Sequence, residues 1–152
     1  MPEYRRILCP VDFSEPSHVG LETAAELAVR FSAELVVVHV VPPVPVATVP
    51  QATPLFDVGT YEKELGRSAE EGMEKLLKDR APDEIRSRYL VAFGEPAHEI
   101  VRVAGEEHAD LIVMSTHGES GWRRVVFGSV AEKVVRMAEC PVLTVPEPAG
   151  SE

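Results

Sequence analysis

Glu34-Leu35-Val36-Val37-Val38-His39-Val40-Val41 is the stretch that decides the fold class of this 152-residue chain. A continuous and mostly β-branched run of this kind is what a parallel strand needs when helices cover both of its faces. We therefore predict that Glu34–Val41 is a central or nearly central strand of a parallel sheet.

Apolar runs alternate with segments of helical period on both sides of this stretch. The other predicted strands are Ile7–Val11, Arg88–Ala92, Leu111–Met114 and Pro141–Pro146. Apolar faces at helical spacing predict four intervening helices, beginning near Ser14, before Leu65, after Glu95 and after Ser129. Strands that alternate with helices imply crossover connections. The pattern predicts an α/β fold, a Rossmann-like doubly wound open sheet of five parallel strands with four helices, in a single domain over residues 1–152.

Composition excludes several classes of partner. The formal net charge is −10 and no basic block is present, whereas nucleic acids and anionic membranes require clustered Lys and Arg. No apolar run approaches the ~20 residues of a membrane span, and the first residues lack a signal-peptide core. We expect a cytoplasmic protein that binds no nucleic acid and does not insert into a membrane. Cys9 lies in an apolar run and Cys140 precedes Pro141, so both are interpreted as reduced structural thiols.

The segment 42–54 contains five prolines and can form neither a helix nor an interior strand. We predict a long, semi-stiff loop here and a short flexible tail over 147–152. Two interpretations of the loop stay open: a tolerated surface insertion, or a lid or partner surface beside a ligand cleft.

A second informative stretch is Met114-Ser115-Thr116-His117-Gly118-Glu119-Ser120-Gly121-Trp122-Arg123-Arg124-Val125-Val126-Phe127-Gly128-Ser129-Val130. Small residues let backbone N–H groups approach an anion, and the N-terminus of a helix favours phosphate. The stretch therefore has a phosphate-binding layout. The alternative is that the glycines only serve turns and that Ser129, which opens a capping box with Glu132, only caps a helix.

With this loop the chain resembles the universal stress protein family, whose nucleotide loop reads Gly, two residues, Gly, nine residues, Gly, then Ser or Thr. Gly118, Gly128 and Ser129 match that pattern, whereas Ser115 stands in place of its first glycine. The resemblance extends to Pro10–Ser14, to the pair His39-Val40 and to Cys140-Pro141-Val142, so it spans nearly the whole chain.

The resemblance implies a sheet of order 3-2-1-4-5 and a regulatory adenine nucleotide, ATP, accompanied by Mg²⁺. In such sheets the ligand crevice lies at the carboxyl ends of the strands, where the strand order reverses. Asp12 would contact ribose or adenine, and the backbone of Val40 would hold the adenine edge. The implied nucleotide-binding residues are Pro10, Val11, Asp12, Val40, Met114, Ser115, His117, Gly118, Gly128, Ser129 and Val130. The resemblance also implies a homodimer paired through residues 141–145, and a regulatory protein partner that the sequence does not identify.

Each candidate residue has a purely structural alternative. Asp12 with Ser14 fits turn and capping chemistry, and His39 fits a packed, hydrogen-bonded histidine. Arg123 and Arg124 fit either phosphate contacts or a solvated face.

Catalytic and metal chemistry find little support in the sequence. The five histidines lack the close spacing of metal ligands, and no lysine precedes Ser129 as a P-loop would require. We predict no catalytic residue, no protein-bound metal and at most slow ATP hydrolysis. The alternative function is a family member that binds no nucleotide and serves as a stress-associated interaction module.

Overall fold

The fold is a twisted parallel sheet with helices on both faces. The computed structural model describes residues 3–44, 57–117 and 128–148. Its elements are β1 (Arg6–Pro10), α1 (Glu15–Phe31), β2 (Glu34–Val41), α2 (Val58–Arg80), β3 (Ser87–Phe93), α3 (Pro96–Glu106), β4 (Leu111–Ser115), α4 (Ser129–Met137) and β5 (Val142–Val145). The strands pair in parallel in the order β3-β2-β1-β4-β5. The predicted topology is confirmed over the described residues.

Alternation along the strands divides the core into two layers. Leu35 and Val37 of β2 face α1 and α2, whereas Val36 and Val38 face α3 and α4, and all four side chains are fully buried. Strands β1 and β4 alternate in the same way. A strand covered on both faces needs apolar residues at successive positions, which is why Leu35–Val38 is a continuous apolar run.

The predicted strand Glu34–Val41 has the observed bounds, and β2 lies next to the central strand β1. Strand β1 begins and ends one residue earlier than predicted, although the Val11 N–H still donates to the Val38 carbonyl at 2.8 Å. Helix α1 begins as predicted, with the Ser14 hydroxyl oxygen accepting from the Ser17 N–H at 3.3 Å. No helix in the described ranges is long and apolar enough to cross a bilayer.

An ion-pair network joins the amino ends of the strands, opposite the predicted ligand crevice. The Glu34 carboxylate accepts from Arg6 Nε at 2.7 Å and from Arg88 Nε at 2.9 Å, and its side chain is only 11% exposed. Arg88 also pairs with Glu107. Burial raises the pKa of Glu34, but the hydrogen bonds and charges of Arg88 and Arg6 outweigh burial, so the net pKa lies below its usual value. The Glu34 carboxylate on β2 therefore links β2 to β1 through Arg6 and to β3 through Arg88.

Glu34→Gln should lower the free energy of unfolding by about 1–3 kcal/mol near neutral pH, because two guanidinium groups lose a charged acceptor. Since the pKa of Glu34 is lower in the folded than in the unfolded state, its contribution is present above the usual carboxyl pKa and is lost on acidification. Urea unfolding near neutral pH and at about pH 3 should show the gap between wild type and variant closing in acid.

The matched control is Glu3→Gln, because Glu3 pairs with Arg5 while both side chains remain at least 77% exposed. Its effect should stay below about 0.5 kcal/mol. Equal losses in the two variants would contradict a structural role for the Glu34 network.

Candidate ligand-binding site

A cavity of about 380 Å³ lies at the carboxyl edge of the sheet, where the strand order reverses between β1 and β4. Every predicted site residue in the described ranges lines it: Pro10, Val11, Asp12, Val40, Met114, Ser115, His117, Gly128, Ser129 and Val130. Gly118, Trp122, Arg123 and Arg124 lie outside the described residues, as does most of the proline-rich segment. Three segments that are distant in the sequence therefore meet at one crevice, as predicted.

The cavity also has walls that sequence reasoning missed. These are Ser17, Val38, Pro42, Pro96, Ile100, Thr116 and Ala131. Val38 and Ile100 are buried apolar residues of the α3–α4 core layer, so the sequence shows them only as core positions. Pro96 follows Glu95, and that pair signals only a helix start. The cavity is apolar near β2 and α3 and polar near the end of β4.

The Asp12 turn combines capping chemistry with a position on the cavity wall. Asp12 Oδ1 accepts from the Ser14 N–H at 3.0 Å and from the Ser14 hydroxyl. Both sequence interpretations of Asp12 are therefore compatible, because Asp12 takes part in the turn before α1 and also lines the cavity.

Phe13 lies inside this turn in a left-handed conformation, with φ of 64°. A bulky side chain rarely adopts this backbone geometry, which costs of order 1–3 kcal/mol. The Phe13 ring packs on the His39 ring with centroids 4.6 Å apart, and it also fills the space beside Gly72. His39 Nδ1 lies 2.8 Å from the Val11 carbonyl and donates to it, since a carbonyl can only accept. His39 is thus the packed, hydrogen-bonded histidine that the sequence favoured.

Helix α4 points its N-terminus into the cavity. Gly128 is its N-cap and Ser129 is its first helical residue, so the structure contradicts the alternative interpretation in which Ser129 only caps this helix. The reason is a backbone contact one residue earlier, where the Gly128 N–H donates to the Thr116 carbonyl at 2.8 Å. The N–H groups of Ser129, Val130 and Ala131 have no partner within the helix, and all three residues line the cavity.

Gly128 is required by a close approach and not by backbone conformation. Its φ is −57°, which any residue can adopt. A Cβ at this position would lie 2.9 Å from the Thr116 carbonyl oxygen and 3.7 Å from the His117 Cα. A side chain there would therefore push α4 away from the end of β4 before it met any ligand.

Ser115 and His117 form a hydrogen-bonded turn at the end of β4. The Ser115 hydroxyl donates to the His117 carbonyl at 2.7 Å. Thr116 Oγ1 lies 3.0 Å from His117 Nδ1, whereas His117 Nε2 is buried and has no hydrogen-bond partner among the residues that the structure describes. Ser115 belongs to β4, and its φ is not positive; within the described ranges the non-glycine residues of positive φ are Phe13, Ser32 and His108. A serine therefore fits this backbone without strain.

Glu95, the N-cap of α3, positions the part of the cavity wall that Pro96 and Ile100 form. Glu95 accepts from the His98 N–H at 2.9 Å, and its other carboxylate oxygen lies 3.4 Å from Lys133 Nζ on α4. The backbone hydrogen bond from His98, helped by Lys133, lowers the pKa of Glu95 to about 2. Glu95 thus stays ionised and fixes the turn of α3 that carries Pro96 into the cavity wall.

The cysteines are placed as structural thiols. Cys9 is fully buried, and burial raises the pKa of its thiol to about 12. Burial also raises the pKa of Cys140. Within residues 3–44, 57–117 and 128–148, no group of three or more His, Cys, Asp or Glu side chains is arranged to hold a metal ion.

Fold and crevice together define a doubly wound α/β protein with a helix N-terminus facing a ligand-sized cleft at its switch point. A family model described as the universal stress protein family matches residues 3–146 of the chain. The chain belongs to the universal stress protein family, and the resemblance seen in the sequence is confirmed.

Individual relatives agree with this assignment. Universal stress protein MJ0531 of Methanocaldococcus jannaschii is 36% identical over 145 residues, which are 95% of this chain and 84% of that protein. The structure of MJ0577 from the same organism has a TM-score of 0.83 at 27% identity and covers 98% of this chain and 100% of that chain. A universal stress protein from Archaeoglobus fulgidus, solved in complex with dAMP, has a TM-score of 0.59 at 25% identity, covering 94% and 98%.

Gly128→Ala should destabilise the protein by about 1–3 kcal/mol, because the new methyl group meets the Thr116 carbonyl and must displace the start of α4. Chemical denaturation measures the loss, and amide chemical shifts of Thr116 and Ser129 should report the displacement. Gly105→Ala is the matched control, since a Cβ there would meet nothing within 4 Å inside α3. That variant should be neutral or up to about 1 kcal/mol more stable. A neutral Gly128→Ala would contradict the close approach.

Proposed function

We propose that this protein binds ATP or another adenine nucleotide as a regulatory ligand. The observation that carries the proposal is the arrangement of one cavity with two chemically different ends. The N-terminus of α4 and the Ser115–His117 turn line one end, and apolar side chains from β2 and α3 line the other. A ligand with an anionic group and a flat apolar group, which a nucleotide has, complements both ends.

The polar end fits phosphate groups. The N–H groups of Ser129, Val130 and Ala131 lack partners within α4, and the positive end of the helix dipole favours an anion there. Gly128 keeps the helix start within 2.8 Å of the Thr116 carbonyl, so no side chain intervenes. In this proposal the residues that surround the phosphates are those that the family resemblance implies, with Mg²⁺ bound through the nucleotide: Ser115, His117, Gly118, Gly128, Ser129 and Val130.

The apolar end fits the base. Val38 and Ile100 supply buried apolar surface, and Val40 belongs to the last part of β2, where its backbone is at the cavity edge. Asp12 lies between the two ends, beside Pro10 and Val11, which suits a contact to ribose or to the adenine edge. The complex of the Archaeoglobus fulgidus protein with dAMP supports an adenine nucleotide as the ligand class.

The proposed role is binding rather than efficient catalysis. Asp12 already accepts two hydrogen bonds from Ser14, which favours an orienting role over that of a general base. The nucleotide would act as a regulatory ligand, and a protein partner would recognise the nucleotide-bound protein.

Ser115→Gly tests how the serine at the first glycine position of the motif affects the affinity for ATP. The hydroxyl holds the His117 carbonyl at 2.7 Å, so its removal should loosen the turn and weaken ATP binding by up to about tenfold, or ~1.4 kcal/mol. Calorimetry should show the same loss in Ser115→Ala, which separates the hydroxyl from the flexibility of glycine.

Two other results would change the account. If neither wild type nor Ser115→Gly binds ATP, the interaction-module alternative is favoured. If only the glycine variant binds, serine itself has closed the site.

We further propose a homodimer paired through residues 141–145. Strand β5 forms the edge of the sheet, and Leu143 is 40% exposed there. An exposed apolar edge is a template for pairing with a second chain. The Pro141 and Val145 carbonyls accept from β4, so residues 141, 143 and 145 face inward while Val142 and Thr144 direct their backbone groups outward.

Thr144→Pro should raise the dimer dissociation constant at least about tenfold, because it removes an outward N–H without touching the β4 ladder. Light scattering over a dilution series measures the change, and Glu147→Pro, two residues beyond the strand end, is the control. Leu143→Pro is a poorer test, since it would break a hydrogen bond inside the protomer. A monomeric wild type at micromolar concentration, or an unchanged dimer in Thr144→Pro, would contradict the pairing.

A further inference from the structure

The turn between β1 and α1 contributes to the walls of two different cavities. Asp12 lines the first cavity, which is the proposed nucleotide site, whereas Phe13 lines a second cavity of about 450 Å³. The walls of this second cavity come from the turn, from the end of β2 and from α2: Phe13, His39, Val41, Pro42, Leu65, Ser68, Ala69 and Gly72. Phe13 is thus next to the nucleotide site in sequence but lies outside its wall.

Side-chain hydrogen bonds close this turn around Phe13. Asp12 Oδ1 accepts from the Ser14 N–H at 3.0 Å, and the Asp12 N–H donates to Ser17 Oγ at 3.4 Å. The Ser17 hydroxyl donates to the Ser14 carbonyl at 2.9 Å, and Ser17 is only 3% exposed. Because Phe13 is the one residue between Asp12 and Ser14, its backbone angles set how these two residues lie relative to each other.

The backbone of Phe13 is held in a conformation that phenylalanine disfavours. Its φ of 64° lies in the left-handed region, which glycine adopts readily and bulky residues rarely adopt. Such a conformation persists only where the surrounding structure holds it. The hydrogen bonds of Asp12 and Ser14 would form equally well around a glycine, so they do not account for a phenylalanine at this position.

The contacts that only a large side chain can make are those of the Phe13 ring. Its centroid lies 4.6 Å from that of His39, whose Nδ1 donates to the Val11 carbonyl at 2.8 Å. On α2, a Cβ at Gly72 would lie 3.1 Å from Cζ and 3.2 Å from Cε1 of the ring. The missing side chain of Gly72 therefore leaves the space that the ring fills, and the ring contacts both β2 and α2.

We propose that Phe13 is a positioning residue for the nucleotide site. Its ring, seated against His39 and Gly72, holds the left-handed turn that places Asp12 on the wall of the first cavity. This inference rests on the proposed nucleotide binding and goes beyond it, because Phe13 does not itself line the first cavity. It also makes Gly72, a residue of α2 outside that cavity, a determinant of the affinity for the ligand.

Two substitutions of Phe13 in the full chain separate backbone conformation from packing. Phe13→Ala removes the ring and keeps the strain, whereas Phe13→Gly removes the ring and adopts a positive φ without strain. Calorimetry should rank the ATP affinities in the order wild type, Phe13→Gly, Phe13→Ala, with a loss of at least about fivefold in Phe13→Ala. Packing alone predicts the opposite order of the two variants, because alanine keeps more of the side chain than glycine.

A double-mutant cycle tests whether Phe13 acts through Asp12. In the Asp12→Ala background, Phe13→Ala should change the ATP affinity less than about twofold, because the residue that the ring positions no longer carries its carboxylate. Fully additive losses would show that Phe13 acts by another route and would overturn the positioning role.

Gly72→Ala tests the same contact from α2 and covers the case in which the Phe13 variants fail to fold. Its methyl group should displace the ring, which is 38% exposed and borders the second cavity, and weaken ATP binding about two- to fivefold. Gly66→Ala on the same helix is the matched control, because its methyl group meets the ring of Phe93 instead. The ATP affinity of this control should equal that of the wild type.

The outcomes separate this inference from the function on which it rests. A wild type that does not bind ATP would overturn both. Where the wild type binds ATP, three results would overturn only the role of Phe13: an unchanged affinity in Phe13→Ala, tighter binding by Phe13→Ala than by Phe13→Gly, or equal effects of Gly72→Ala and Gly66→Ala.

Discussion

Burial of the central strands on both faces is the constraint on which the rest of this structure depends. The buried positions of β1, β2 and β4 are apolar toward both helical layers, and their polar residues, such as Glu34, His39 and Ser115, lie at or near the ends of the strands. At the amino ends of the strands, Glu34 forms ion pairs with Arg6 and Arg88. At the carboxyl ends, the strand order reverses between β1 and β4. A ligand crevice at this point of reversal follows from the topology.

The sequence could predict the strands and the place of the crevice, but not the close backbone contacts that shape the crevice. The run Glu34–Val41 identifies its strand because a continuous, mostly β-branched run is typical of a parallel strand that helices cover on both faces. The sequence also predicted that Asp12, Val40 and Gly128 lie close together, because Asp12 follows a predicted strand, Val40 lies near the end of another, and Gly128 precedes the helix after a third. The reason for Gly128 could not be predicted, because it depends on a carbonyl twelve residues away that only the fold brings near.

Other details escaped sequence reasoning for the same physical reason. Ser129 has every local feature of an N-cap, yet the Gly128 contact with Thr116 starts the helix one residue earlier. The backbone of Ser115 is extended because β4 continues through it, so a serine is accommodated there without backbone strain. The sequence does not single out Thr116, because its contacts to Val145 in β5 and to Gly128 at the start of α4 exist only in the folded chain. Phe13 shows the converse case, a strained residue held by packing on His39 and Gly72.

The central claim is that an adenine nucleotide occupies the cavity between β1 and β4. Titration of the ¹⁵N-labelled protein with Mg-ATP tests it most directly, because every non-proline backbone amide is a reporter. The account predicts saturable shifts concentrated at Val11, Asp12, Val40, Met114–His117 and Gly128–Ala131, with the amino edge around Glu34 unchanged. No shifts at millimolar ATP, or shifts clustered away from these residues, would contradict it.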